Sequence, residues 1–385
     1  ATPVGRIAWV EGGTRIHVSD AARGGDAVIH ALDPELPGGI GALAWRPDGE
    51  AIAWASGEEA LCSIWQSDLF VADADGAAVR RLTNGPSCAA LTGLPTGTIR
   101  LTVENRGETE RELLIHAQGL ALAQAIVVAA GTAATVDLAG VADLGADTPQ
   151  FVVAEDGMTT WFDPNVYADV VAGTTATAGT IVIDDASGID GWGALALSWS
   201  PDGSRLAYQQ GLDALWQIPA DAGPLAVGTP LFTTPLPDGF AATGPVWAPD
   251  GDRVLYHRYD VDPSTIAIGT AGGEAGGDVL PVTIGWGADW LPDGSGLIVA
   301  DVDPNARGSG FLLADLVTGA VERIDPPEGG FAVRPSVSPD GRFVAYEWSA
   351  GSPRTDAVVS IRILELATGI ERILAEDGFA PEWGP

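Results

Sequence analysis

A short turn signature recurs along this chain, and it constrains the fold more than any other feature. Trp199-Ser200-Pro201-Asp202-Gly203 is followed by Ser204-Arg205-Leu206-Ala207-Tyr208. The pattern also stands at Trp45-Arg46-Pro47-Asp48-Gly49, Trp247-Ala248-Pro249-Asp250-Gly251, Trp290-Leu291-Pro292-Asp293-Gly294 and Val337-Ser338-Pro339-Asp340-Gly341. A shortened copy, Trp383-Gly384-Pro385, ends the chain. Proline fixes φ, aspartate caps its own turn and glycine supplies positive φ, so each tripeptide predicts a tight turn between two strands. Self-similarity at about 40–45 residues marks a propeller or an array.

The copies define the unit. From Trp199 the steps are 48, 43, 47 and 46 residues, but Trp45 to Trp199 spans 154. One unit therefore carries a large insertion. Residues 6–32 hold three strand-like runs, Arg6–Val10, Thr14–Ser19 and Asp26–Leu32, with no turn signature before them. Residues 379–385 read as a first strand with no followers. Unpaired edges are a liability, so the two ends are expected to build one blade together. The second blade spans 39–84. The others lie near 188–235, 239–282, 285–326 and 330–376. The expected fold is all-β: a six-bladed propeller closed by both termini.

The insertion, near 92–187, also reads as β. Its runs are Thr98–Glu104, Glu110–Ala117, Ala125–Val128, Ala133–Leu138, Gln150–Ala154, Thr159–Phe162 and Thr180–Ile183. Seven short strands in about 90 residues predict a small immunoglobulin-like sandwich. The domains are thus 1–91 and 188–385 for the propeller, with 92–187 inserted.

The run Trp199–Tyr208 resembles the repeat of TolB-type six-bladed β-propellers. So does Leu69-Phe70-Val71-Ala72-Asp73-Ala74-Asp75-Gly76-Ala77-Ala78-Val79-Arg80-Arg81-Leu82-Thr83. The resemblance covers about 290 residues, all but the insertion. Val337 departs from it where the other copies have Trp. It implies a fold more than an activity, since such propellers serve as binding modules, as gating domains beside hydrolases and as enzymes. The resemblance does not extend to the amino-terminal domain of periplasmic TolB, so no Tol–Pal role is expected.

Charge narrows the partners. The 385 residues carry a net charge of −33, and all 19 basic residues are arginine. Such a chain does not neutralise phosphates, which argues against nucleic acid. No apolar run approaches the roughly 18 residues of a membrane span. We read an extracytoplasmic protein (periplasmic, cell-surface or secreted) in mature or trimmed form, with a protein or cell-envelope partner.

Strand alternation decides which loops share a face. The loops between second and third strands lie with the crossovers between blades, and the Pro-Asp-Gly turns lie opposite. The insertion follows blade two in a crossover. Just before each first strand a second repeat appears, centred on Ile40, Trp192, Phe240, Trp286, Phe331 and Phe379. It is either an apolar collar that receives a ligand or a set of side chains wedged between blades as core. Asp260 and Asp262 in blade four, with Asp301 and Asp303 in blade five, occupy equivalent loops before proline. They suit a hard cation such as calcium, or serve as turn formers.

Catalytic patterns are scarce. There is no Gly-x-Ser-x-Gly elbow, lysine is absent, and His17, His30, His116 and His257 lie in separate runs. The preferred reading is a non-catalytic binding protein. Its alternative is a divalent-cation-dependent hydrolase or lyase acting at the channel mouth. Finally, Cys62 and Cys88 are the only cysteines. They fall in two loops expected on one face, and an even count in an exported protein favours a disulfide.

Overall fold

The computed structural model describes residues 2–33, 39–145, 148–156, 160–184, 189–190, 194–211, 214–223, 226–233, 242–259, 264–282, 285–302, 308–326, 330–351 and 359–385. The described fold is all-β apart from two short helical turns, Ala60–Cys62 and Cys88–Leu91.

Six antiparallel sheets have four strands each. The first runs Gly24–Ala31, Arg15–Asp20, Arg6–Glu11 and then Phe379–Gly384, so both ends of the chain share it. Arg6 pairs with Gly384 and Ile7 with Trp383. The second sheet is Ile40–Trp45, Ala51–Ser56, Asp68–Asp73 and Arg80–Arg81. The third is Ala194–Trp199, Arg205–Gln210, Ala214–Pro219 and Thr229–Pro230. The fourth is Ala242–Trp247, Arg253–Arg258, Thr265–Thr270 and Gly277–Pro281. The fifth is Gly285–Trp290, Gly296–Val302, Ser309–Asp315 and Val321–Ile324. The sixth is Phe331–Val337, Phe343–Ser349, Ser360–Glu365 and Ile370–Ala375.

The turn signature does what its residues dictate. In all five full copies the glycine has φ between 68° and 85°. Its N–H donates to the residue before proline, as from Gly203 to Ser200 at 2.8 Å. Each aspartate Oδ1 accepts the N–H two residues on, as from Ser204 to Asp202 at 3.0 Å. Hydrogen bonds from Ser200 and Ser204 hold the Asp202 carboxyl down at about 2.

Packing lies between sheets. Six apolar clusters each join two successive sheets, and one of them packs Phe343 and Ile363 of the sixth against Ile7 and Trp9 of the first. The innermost strands touch in the same cyclic order. The repeat tryptophans fasten neighbours. Arg6 stacks over Trp45, Arg205 over Trp247 and Arg253 over Trp290, each with the cation 4.5–4.9 Å from the ring centroid. Such cation–π contacts contribute roughly 0.5–2 kcal/mol. The indole N–H groups of Trp199 and Trp290 also donate to carbonyls of the preceding inner strand, Ala44 and Val246.

All seven expected insertion runs form strands. Gln124–Val128, Arg111–Ala117, Gln150–Asp156, Thr160–Ala168 and Ile189–Asp190 make a five-stranded sheet. Thr132–Ala142, Thr96–Asn105 and Thr175–Ile183 make a second, in which the last two run parallel. Both sheets feed one core that includes Ile99, Leu113, Val136, Val152 and Ile181. The order differs from that of an immunoglobulin domain, whose first strand pairs with its second. Here the first pairs with the fourth and seventh.

Candidate functional site

The six inner strands line a central cavity of about 520 Å³. Each carries a β-bulge at the equivalent place, seen as a register shift against its neighbour. A bulge leaves a residue unpaired and re-aims it. In four strands the residue three before the start of the turn signature has positive φ: Gly244 (62°), Gly287 (101°), Arg334 (50°) and Ala380 (50°). Gly287 is required twice over, because a Cβ there would stand 2.8 Å from the Arg334 Cα. Arg334 and Ala380 are not glycine, so each costs on the order of 1–3 kcal/mol. One buried carboxylate holds both: Glu347 Oε1 accepts the Arg334 guanidinium at 3.0 Å and the Ala380 N–H at 2.6 Å.

The position just before the start of the turn signature clasps the next sheet. Ser198 Oγ accepts the Trp247 N–H at 3.0 Å, Asp289 Oδ2 accepts Val337 at 2.7 Å, and Ser336 Oγ accepts Trp383 at 2.9 Å. Glu382 occupies the same position and lines the cavity. Burial raises the Asp289 carboxyl to about 6 against those two backbone donors, Val337 and Trp290. Burial, with the Asp289 charge adding to it, pushes Glu382 well above the usual carboxylate range. The channel thus combines Trp286 and exposed Tyr259 with the Arg334 cation and the Glu382 carboxyl.

The expected collar divides. Ile40 is buried in the core between the first two sheets. Phe379 packs against that same core, and Phe331 against the core of the fifth and sixth sheets. Trp286 packs on that last core and also lines the channel. Trp192 and Phe240 lie outside the described residues. So do Asp260, Asp262 and Asp303 of the acidic loops. Asp301 faces Arg323, 3.6 Å away. Among the described residues one group has three potential metal ligands within reach, Glu59, Cys62 and Cys88. Its two thiols are spent in a disulfide.

The histidines are all engaged. His17 meets Asp26 and Glu11, His30 meets Glu58, and His116 forms a buried pair with Glu155 at 2.7 Å. His257 packs on Tyr259 with ring centroids 4.0 Å apart.

Cys62 and Cys88 are bonded, with Cα atoms 5.7 Å apart. The bridge sits at the root of the insertion. Cys62 packs with Leu91 and Ala142, and the Ala123 N–H donates to the Leu61 carbonyl at 2.9 Å. Nothing in the repeat pattern marks Arg334, Glu347, Asp289 or Glu382. The one available signal is the place of the last two, immediately before a turn tryptophan.

No protein-family model matches the sequence, and no curated protein matches it. Solved structures do. TolB from Acinetobacter baumannii superposes with a TM-score of 0.56 at 13% identity, over 99% of this chain and 67% of that one. A chain of a nidogen/laminin complex superposes with a TM-score of 0.52 at 10% identity, over 98% of this chain and 97% of that one. Likeness at such identity speaks for architecture alone: the chain has a TolB-like β-propeller fold.

Proposed function

We propose that this chain is a six-bladed propeller, 1–91 and 188–385, closed by its two termini and carrying an inserted β-sandwich at 92–187. In this reading it is a non-catalytic, extracytoplasmic binding protein. Its channel mouth, on the face that bears the insertion, receives a segment of a protein or cell-envelope partner. The observation that carries the reading is the set of six bulges turned into one channel, two of them held in strained backbone by Glu347. Strain of this kind persists where the surroundings over-determine it, and such positions cluster at functional sites. The disulfide fits an oxidising, periplasmic or extracellular compartment. Among the described residues no helix is long and apolar enough to cross a membrane.

The test is affinity capture from the source's envelope fraction with the wild type, Trp286→Ala and Arg334→Ala. The reading predicts one discrete partner, lost in both variants while both remain folded at the assay temperature by circular dichroism. Equal capture by all three proteins contradicts it.

A second reading keeps one specific observation, the Glu382 carboxyl in the channel wall with the Asp289 carboxyl close enough for its charge to act on it. Two such groups suit a divalent cation, as the Asp260, Asp262, Asp301 and Asp303 loops suit calcium, and a cation there would serve a hydrolase or lyase. Metal analysis of the purified protein decides it: a stoichiometric divalent ion favours this alternative.

A further inference from the structure

A second cavity lies where the insertion meets the second and third sheets. It holds about 190 Å³, below the roughly 300–1,000 Å³ of sites for drug-sized ligands, so it fits one ring. Its walls come from three parts of the chain. Trp65 lies in the loop before the third strand of the second sheet, Tyr208 and Trp216 belong to the third sheet, and Phe151 to the insertion. The pair Trp65 and Tyr208 is tilted, with ring centroids 6.4 Å apart. No charged side chain lines the cavity.

Of the polar side chains here, Thr83 and Asn84 donate to Asp68 and Gln118 accepts the Phe151 N–H, which leaves Tyr208 and Gln210. Tyr208 is 1% exposed, yet its hydroxyl has no hydrogen-bond partner among the described residues. Burial alone pushes its phenol up. That hydroxyl abuts the cavity wall at Gly228, where an added Cβ would stand 2.2 Å from it. Gln210 also lines the cavity, and its amide has no partner among the described residues. A ligand in the cavity can pair with the Tyr208 hydroxyl and the half-buried Gln210 amide, each such hydrogen bond contributing about 0.5–1.5 kcal/mol. It must present an apolar face to the aromatic rings, hydroxyl-type groups to Tyr208 and Gln210, and no charge.

We propose that the cleft between the insertion and the propeller binds one neutral sugar ring, as a free monosaccharide or as the terminal residue of a glycan. The ring's C–H face lies on the aromatic walls, and its hydroxyls pair with Tyr208 and Gln210. The insertion completes the site through Phe151 and Gln118, which gives the inserted sandwich a role in recognition. This site is separate from the channel mouth.

The experiment is saturation-transfer NMR on the full chain with glucose, galactose, mannose and N-acetylglucosamine. Their methyl glycosides, glucuronate and phenol serve as comparisons. At least one neutral sugar should bind with a Kd on the order of 1 mM, and glucuronate should bind at least tenfold more weakly. A methyl glycoside that binds equally identifies a glycan terminus, and one that does not identifies a free sugar; either supports the site. Tyr208→Phe, which keeps the ring and removes only the hydroxyl, should weaken binding fivefold or more. Val321→Ala, on an exposed outer strand, should leave it unchanged. Absence of binding by every neutral sugar overturns the proposal, as does binding of phenol in preference to the sugars. Sugar binding that Tyr208→Phe leaves intact also overturns it.

Discussion

Trp383→Ala tests whether the two ends of the chain carry the seam. Trp383 is 6% exposed and stacks on Phe343 with ring centroids 6.2 Å apart. Its indole N–H donates to the Val4 carbonyl at 2.7 Å, and its backbone N–H donates to Ser336 at 2.9 Å. The side chain therefore touches the sixth sheet and the amino-terminal segment together. Truncating a buried aromatic to alanine costs about 3–5 kcal/mol, and the orphaned Val4 carbonyl adds about 1 kcal/mol. In a chain of this size each kcal/mol lowers the melting temperature by somewhat less than the roughly 2–4 °C of a 150–250-residue domain. The expected fall is roughly 5–10 °C by calorimetry. Val321→Ala, on a half-exposed outer strand, should change stability by less than about 1 kcal/mol. Equal melting of Trp383→Ala and the wild type would refute this account of the seam, because it would mean that the Trp383 side chain does not fasten the sixth sheet to the amino-terminal segment.

Other outcomes follow from individual groups. Thiol titration of the denatured, unreduced protein should find no reactive thiol. Reduction should lower stability by about 3 kcal/mol for a loop of 26 residues and speed proteolysis at the root of the insertion; equal melting with and without reductant counts against this. Because Asp289 is raised from 3.8 to about 6, the folded state holds its proton longer than the unfolded state. Stability should then decline as pH rises from about 4 to 6, by up to about 3 kcal/mol. Melting curves across that window should be flatter for Asp289→Asn, and an identical slope would exclude the group. Arg253→Lys should not restore what Arg253→Ala loses, since a lysine does not stack as the planar guanidinium does over Trp290; full recovery of the melting temperature would count against the stacking account.

Much of the architecture was legible because its signals are local. Pro-Asp-Gly turns depend on three adjacent residues, and all five full copies form the expected turn. The pairing of 379–384 with 6–11 followed from two incomplete sets of strands. The disulfide followed from two loops on one face. What escaped is long-range. Arg334 and Ala380 adopt positive φ without being glycine, so no residue type flags their bulges. Phe151 and Val153 alternate like any strand pair, and only the fold shows that they face the propeller while Val152 faces the sandwich core. The strand order of the insertion was illegible for the same reason: seven similar strands do not announce their partners. The collar pattern marked one position per blade, but the local shape of each strand start decides whether the side chain enters the core, as Ile40 does, or reaches the channel, as Trp286 does.

The central claim, that the channel mouth receives a partner, is tested most directly by site-specific photo-crosslinking. A benzophenone amino acid is placed at 286 in the channel and, separately, at 317, an 82% exposed position on an outer turn. Each protein is irradiated in its native envelope. The account predicts a discrete adduct from position 286, absent from position 317 and lost on adding Arg334→Ala. The same adducts from both positions, or none from 286, would contradict it.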